Sequence, residues 1–299
     1  MKLALYGLLC FIWGSTWLVI KVGYGGLGPF NVAALRFFVA GLICVPIVPL
    51  ARARWPRGQG EWLLVAFVGV ALFGLDYGLI YWSEQFIDSG LTAVLFATLP
   101  LITIFAAHIY VPGEPITRRK LAGTLLAFVG VIALFGDRLR LDPGKAIAMT
   151  SVVAATAFAA AASVATKRHG AALHPAALNA PAMLVGSVTL IGASLVSGEA
   201  FTIPGDRQTI AAIAYLAVAG SVVSFLAYFS LLKTWSTTSL SFISVFTPAI
   251  ALVLGFVFLD ERPTPLMAVG GALILAGVTL ALTSPAGLPP RRGGPHGGG

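Results

Sequence analysis

Charge is scarce in this chain. Its 299 residues include 19 Lys and Arg and 11 Asp and Glu, 10% in all, where a water-soluble domain carries about 25%. Too few charges remain to cover a water-facing globule of this size. Cysteine is nearly absent as well. Cys10 and Cys44 both fall in apolar runs, which excludes a disulfide scaffold and reads as two small buried hydrophobes. The four histidines form no ligand pattern, and no HExxH, CxxC or Gly-rich phosphate loop with Lys occurs. No metal and no cofactor are therefore expected, nor an enzyme or a nucleotide-driven pump.

What the chain has in abundance is apolar sequence, 58% of its residues, with a mean hydropathy of +0.93. A helix needs roughly 20 apolar residues to cross a ~30 Å hydrocarbon core. Ten such runs can be marked: Leu3–Val22, Pro29–Leu50, Trp62–Trp82, Gly90–Tyr110, Leu121–Phe135, Ala146–Ala165, Pro175–Val196, Ile210–Leu232, Leu240–Leu259 and Leu266–Leu282. They are continuously apolar rather than alternating, so helices are expected and not barrel strands. The predicted fold class is an all-α integral membrane protein of ten transmembrane helices. Lys2 before an apolar run has the look of a secretory signal, but Trp13, Trp17 and the lack of a small-x-small site argue for a first membrane span. The Pro-, Gly- and Arg-rich tail, 284–299, is expected to be disordered.

Ten spans would put both termini on one side. Twelve of the 19 basic residues then fall on that side, six on the other, and Arg36 lies within a span. A positive excess marks the cytoplasmic face, so a multi-pass inner-membrane protein with both termini cytoplasmic is predicted. Membrane orientation also accounts for the net charge of +8, with no nucleic-acid partner. Monomer and homodimer both stay open.

The chain repeats itself. Glu114, Thr117, Gly123, Gly130 and Val131 meet Glu261, Thr264, Gly270, Gly277 and Val278 at an offset of 147. Pro100 meets Pro248, and Ala66 and Ala71 meet Ala214 and Ala219, at 148; Lys21 and Pro29 meet Lys167 and Pro175 at 146. Two five-span halves are predicted, 1–143 and 144–283. An odd number of crossings per half would leave them oppositely oriented, the arrangement that lets a central cavity open to either face.

The chain resembles the EamA type of the drug/metabolite transporter superfamily. The likeness rests on Phe11-Ile12-Trp13-Gly14-Ser15, Pro29 with Ala34-Leu35-Arg36-Phe37, and Gly90-Leu91-Thr92-Ala93-Val94-Leu95-Phe96 followed by Pro100, Glu114 and Thr117. Pro248, Glu261 and Thr264 repeat the last of these. The resemblance implies ten helices in two inverted halves around a central cavity, and the movement of small metabolites, often outward. Ala182 stands in the place of Arg36 and Ala159-Ala160 in that of Trp13-Gly14, so the cavity is expected to be asymmetric. A channel or receptor, and less readily a membrane-embedded enzyme, are the other readings of such a chain.

Ionisable groups inside hydrocarbon cost roughly 2.5–3.5 kcal/mol on insertion scales, which singles out Arg36 and Asp76. Counted at 1.5 Å per residue, they lie ~10 and ~12 Å from the same face and are expected to form an ion pair. That pair is either a static brace or a substrate anchor (Arg36) with a proton site (Asp76). Tyr77, Tyr81 and Glu84 share one helix face with Asp76, although Tyr81 and Trp82 also read as interfacial residues, and Glu84 and Asp88 as solvated rim charges. Ser224 and Tyr228 with Trp13 and Trp17 complete an expected aromatic pocket with hydroxyl handles. The predicted substrate-binding set is thus Trp13, Trp17, Arg36, Asp76, Tyr77, Tyr81, Ser224 and Tyr228. Pro100 and Pro248 are expected hinges. Asn31 and Asn179 read as interhelical hydrogen bonds, and His108 as a satisfied structural residue. Gly123, Gly130, Gly270 and Gly277 read as close helix contacts. Glu114/Arg118 and Glu261/Arg262 read as end-of-span charges, or as a latch at each face.

Overall fold

The computed structural model describes residues 2–135, 143–200, 202–250 and 265–283. Among these there are helices and no strands. We number the helices by the apolar run each contains: α1 Lys2–Val22, α2 Pro29–Leu50, α3 Gly58–Ser83, α4 Ser89–Tyr110, α5 Arg118–Phe135, α6 Ala146–His169, α7 Pro175–Val196, α8 Arg207–Leu232, α9 Thr237–Ile250 and α10 Pro265–Leu282. Seven of them (α1–α4 and α6–α8) are long and apolar enough to cross a membrane. Helix α5 spends its first turn on Arg118, Arg119 and Lys120, and α9 and α10 are shorter apolar helices. Glu261, Arg262, Thr264, the end of the ninth run and the tail 284–299 lie outside the described residues.

Local chemistry explains where the helices start. Pro29 and Pro175 occupy the first turn of α2 and α7, where the missing N–H is one that would have no helical partner anyway. Asp206 caps α8 by accepting from the Thr209 amide at 2.8 Å, and Ser236 caps α9 by accepting from Ser239 at 3.0 Å. The first amides of α2 are taken instead by a distant carboxylate: Glu199 accepts from Asn31 at 3.1 Å. Asn31 itself donates to the Ala200 and Thr202 carbonyls, a structural bond, though to the connection between α7 and α8 rather than to another helix. Asn179, by contrast, is buried with neither side-chain atom partnered, so its expected interhelical bond is not formed.

Two helices share one irregularity. Gly69–Asp76 in α3 and Val218–Val223 in α8 are wide, π-helical turns; their starts lie 149 residues apart and their ends 147. Helices α2 and α7, each 22 residues long, lie 146 apart at both ends. A π-turn displaces carbonyls from the regular ladder and is found mostly at functional sites. Here it lets the Ser221 and Ser224 hydroxyls reach back five residues, to the Leu216 and Ala219 carbonyls.

The large apolar side chains left outside, among them Phe11, Leu18, Phe38, Val188 and Leu195, form the surface a bilayer would cover. Inside, small residues let helices touch. A Cβ built on Gly277 of α10 would press on backbone atoms of Gly123 and Ala127 in α5, so the four predicted contact glycines serve packing within the chain. Gly277→Leu is expected to destabilise the protein by about 1–3 kcal/mol. Gly271→Ala, with nothing within 4 Å of the new atom, should leave thermal unfolding in detergent unchanged; equal melting of the two variants would contradict this packing.

Candidate functional site

The bundle encloses a cavity of ≈ 80 Å³ at the meeting of α1, α3, α4, α6, α8 and α9. Its walls are Trp13, Trp17, Tyr77, Phe96, Phe225 and Tyr228, with Ile20, Leu72, Ile80, Leu99, Leu240 and Ile243 between them. Polar lining comes from Thr16, Asp76, Ser163, Ser244 and Thr247, and Ala159 fills the place opposite the tryptophans. The rings interlock: Trp13 lies 5.3 Å from Phe225 and 5.5 Å from Tyr228, and Trp17 lies 5.7 Å from Phe96, between ring centroids. An engineered protein cavity of about 150 Å³ accommodates benzene. At roughly half that volume, this partly open cavity is smaller than the space a benzene ring takes up.

Arg36 and Asp76 do not form the expected ion pair. Among the described residues the ion pairs are Lys21–Asp88 at 3.6 Å and Arg54–Glu61 at 2.6 Å. Arg36 is fully buried and turned away from the cavity. Its Nε donates to Ser221 Oγ at 2.9 Å, Nη1 to the Tyr81 hydroxyl at 3.2 Å and Nη2 to the Gly220 carbonyl at 3.0 Å. Its guanidinium carbon lies 4.7 Å from the Tyr77 ring centre and 5.0 Å from that of Phe37. The π-turn of α8 explains this choice, because the displaced Gly220 carbonyl sits where the fork can reach it, and Trp13 Nε1 donates to the same oxygen at 3.3 Å. Arg36 is thus a tie between α2, α3 and α8 rather than an anchor lining the cavity.

Asp76 does line the cavity, and its Oδ1 has no hydrogen-bond partner. Trp13, Trp17, Tyr77 and Tyr228 also line it. Tyr81 is buried on Arg36 and is no interfacial residue, and Ser224 spends its hydroxyl on Ala219 outside the lining. Residues the sequence reading missed are Ser163, whose hydroxyl pairs with Tyr228 at 2.8 Å, with Thr16, Phe96, Ser244 and Thr247. Ser and Thr in an apolar run carry no mark of which side they face, so no sequence signal separates these from ordinary packing residues. Pro248 leaves the Ser244 carbonyl without its helical donor, and the Thr247 hydroxyl takes that place at 3.1 Å. Pro100 stands in the first turn after a break in α4 at residues 97–98.

One end of the bundle is tied by charge. Glu114, 6% exposed, accepts from the Thr237 amide (2.8 Å) and hydroxyl (3.1 Å) and from the Thr238 amide (3.3 Å) and hydroxyl (3.4 Å). It thereby caps α9 from the far side of the bundle. Lys167 closes the end of α8 by donating to the Leu232 and Trp235 carbonyls at 2.7 and 2.8 Å. Lys21, its counterpart by sequence offset, reaches only the exposed Asp88. His108 accepts from the Ile116 amide at 3.4 Å, as a structural histidine should.

Glu84, just past the end of α3, corrects a further expectation. It is 3% exposed rather than a solvated rim charge, and neither carboxylate oxygen has a partner. Burial pushes its pKa from the ordinary 4.5 up to about 8, against the pull of Lys21. The folded state therefore holds a proton that the unfolded chain releases, so stability should fall as pH rises from about 4.5 to about 8. Glu84→Gln should flatten that dependence in thermal melts; an unchanged slope would place the titration elsewhere.

Among the described residues, seven membrane-length apolar helices and a small aromatic and polar cavity inside the bundle mark a multi-pass membrane protein with an internal site. It belongs to the EamA-like transporter family, which matches residues 1–136 and again 146–283. An inner membrane transporter of Escherichia coli, YedA, uncharacterized, is 30% identical over 83% of this chain and 79% of its own length. A probable terminal-alkyne amino-acid exporter of Streptantibioticus cattleyicolor is 29% identical over 90% of this chain and 89% of its own. A chain of known crystal structure shares the fold with a TM-score of 0.79 at 20% identity, covering 94% of this chain and 96% of that one.

Proposed function

We propose that this protein is an inner-membrane exporter of small metabolites, amino acids or related amphipathic compounds, working by alternating access between two inverted five-helix halves, 1–143 and 144–283. The observation that carries the reading is the pair of π-helical interruptions in α3 and α8, at corresponding positions of the two halves: the first puts Leu72 and Asp76 in the cavity lining, and the second presents the Gly220 carbonyl to the lining Trp13. Paired irregular segments at a repeat interface are where such carriers bind their substrates. The named export function of the Streptantibioticus relative supports the substrate class. The excess of basic residues on one side supports cytoplasmic termini.

In this mechanism Pro100 and Pro248 are hinges, and the Glu114 and Lys167 ties hold one end shut while the other opens. Asp76, unpartnered in the closed cavity, carries the coupling proton. The test is counterflow in proteoliposomes against a metabolite panel, with and without a pH gradient. Saturable exchange accelerated by the gradient is expected, and whatever flux Asp76→Asn retains should ignore the gradient. Saturable exchange of no compound would overturn the proposal, and a gradient effect that survives Asp76→Asn would remove the proton role.

A further inference from the structure

The chemistry of the lining says which end of a substrate this cavity holds. Among the described residues Asp76 is its one charged lining residue, and no Lys, Arg or His lines it. The carboxyl is 1% exposed, and its Oδ1 faces no donor from the protein. A buried polar atom without a partner calls for an explanation, and one on a cavity wall can be satisfied by a ligand.

The hydroxyls around it are already committed as donors. Thr16 gives its proton to the Trp13 carbonyl at 2.8 Å, Ser244 to Ser241 at 2.8 Å and Thr247 to Ser244 at 3.1 Å. What these oxygens can still do is accept. Ser163 and Tyr228 bond to one another, so one proton of that pair stays free, and Trp17 Nε1 is unpartnered. The lining thus offers one carboxylate and three hydroxyl acceptors, against donors that are all neutral: the spare Ser163/Tyr228 proton, the Tyr77 hydroxyl and the Trp17 indole. A carboxylate ligand would find no cation in the lining: Arg36 stands behind it, with three of its five N–H donors on Ser221, Tyr81 and Gly220 and its guanidinium stacked over the Tyr77 ring. An ammonium group, with three donors and a positive charge, matches the acceptor excess, and the faces of the surrounding rings favour a cation further.

We infer that the cavity is an amine site, in which Asp76 holds the ammonium group of a substrate whose apolar, ring-bearing body lies between Trp13, Trp17 and Tyr228. Of the roles the sequence leaves open for the two charges, this sets aside Arg36 holding a carboxylate and gives Asp76 a cation to hold. It deepens the exporter reading and rests on it for the word substrate, but the binding claim can be tested without transport.

The probes share a phenyl ring and differ in charge: 2-phenylethylamine, phenylalanine and 3-phenylpropionate. Binding to the purified full chain in detergent is read by calorimetry and by quenching of tryptophan fluorescence. The expected order is amine, then amino acid, then acid, with at least about tenfold between first and last, the scale of one charge-assisted hydrogen bond. Asp76→Asn should weaken the amine at least about tenfold by the same reasoning, and Asp88→Asn, at the exposed rim, should not. Equal or tighter binding of the acid, binding of none of the three, or an Asp76→Asn variant that holds the amine as well as wild type would each overturn the inference. The charge series on the wild-type protein decides even if the variant does not fold. Amine binding without counterflow would sink the exporter reading and leave this one standing; counterflow of the acid in preference to the amine would do the reverse.

Discussion

Arg36→Met should lower stability by on the order of 3 kcal/mol and abolish ligand binding in the cavity, an effect larger than that of any other substitution in α2. The Arg36 side chain makes three charged hydrogen bonds, each worth about 1.5–3 kcal/mol, to groups on α3 and α8. Methionine fills the volume and leaves the Tyr81 hydroxyl and Ser221 without that donor, and Gly220 with the Trp13 bond alone. Against this loss stands the relief of no longer burying a cation, which costs several kcal/mol in a low-dielectric interior. The bonds are expected to win because each of the three guanidinium nitrogens has an acceptor and two rings lie against the group. Arg36→Lys should fall between, since an ammonium keeps the charge but not the fork that spans three acceptors. Thermal unfolding in detergent checks the order. A methionine variant that melts at or above wild type would mean that desolvation outweighs the bonds.

Glu114→Ala is expected to free the start of α9. Two amides and two hydroxyls converge on that carboxylate, and its charge faces the positive end of a helix. Loss of hydrogen bonds to a charged group amounts to about 2–3 kcal/mol of local opening, or roughly 30- to 150-fold faster exchange. Hydrogen exchange at Thr237 and Thr238 measures it directly. Exchange at the wild-type rate would show that the cap does not hold this end of the bundle. Glu114→Gln, which keeps the shape and loses the charge, should give an intermediate rate.

The apolar runs were legible because helix length in a bilayer follows from composition alone. Lys2–Val22, Pro29–Leu50 and Pro175–Val196 fall within a residue of their expected bounds. Trp13, Trp17, Asp76, Tyr77 and Tyr228 were legible as cavity residues because aromatic and acidic side chains are conspicuous in hydrocarbon. Arg36 was found but misread. Depth along a helix can be counted from sequence, whereas the direction of a side chain around it depends on helix winding. The π-turns at Gly69–Asp76 and Val218–Val223 change that winding with no sequence mark. Glu84 was misread for a related reason: nearness to a span end was taken for contact with water.

The sequence by itself determined that the chain is a helical membrane protein of the EamA-like family, because hydropathy and an internal duplication are properties of a linear string. Only the tertiary structure decided what the two intramembrane charges do. Whether opposite charges at one depth meet is settled by the groups that compete for them. Arg36 is claimed by a displaced carbonyl, a serine and a tyrosine from helices far away in sequence, and Asp76 is left to face the cavity alone.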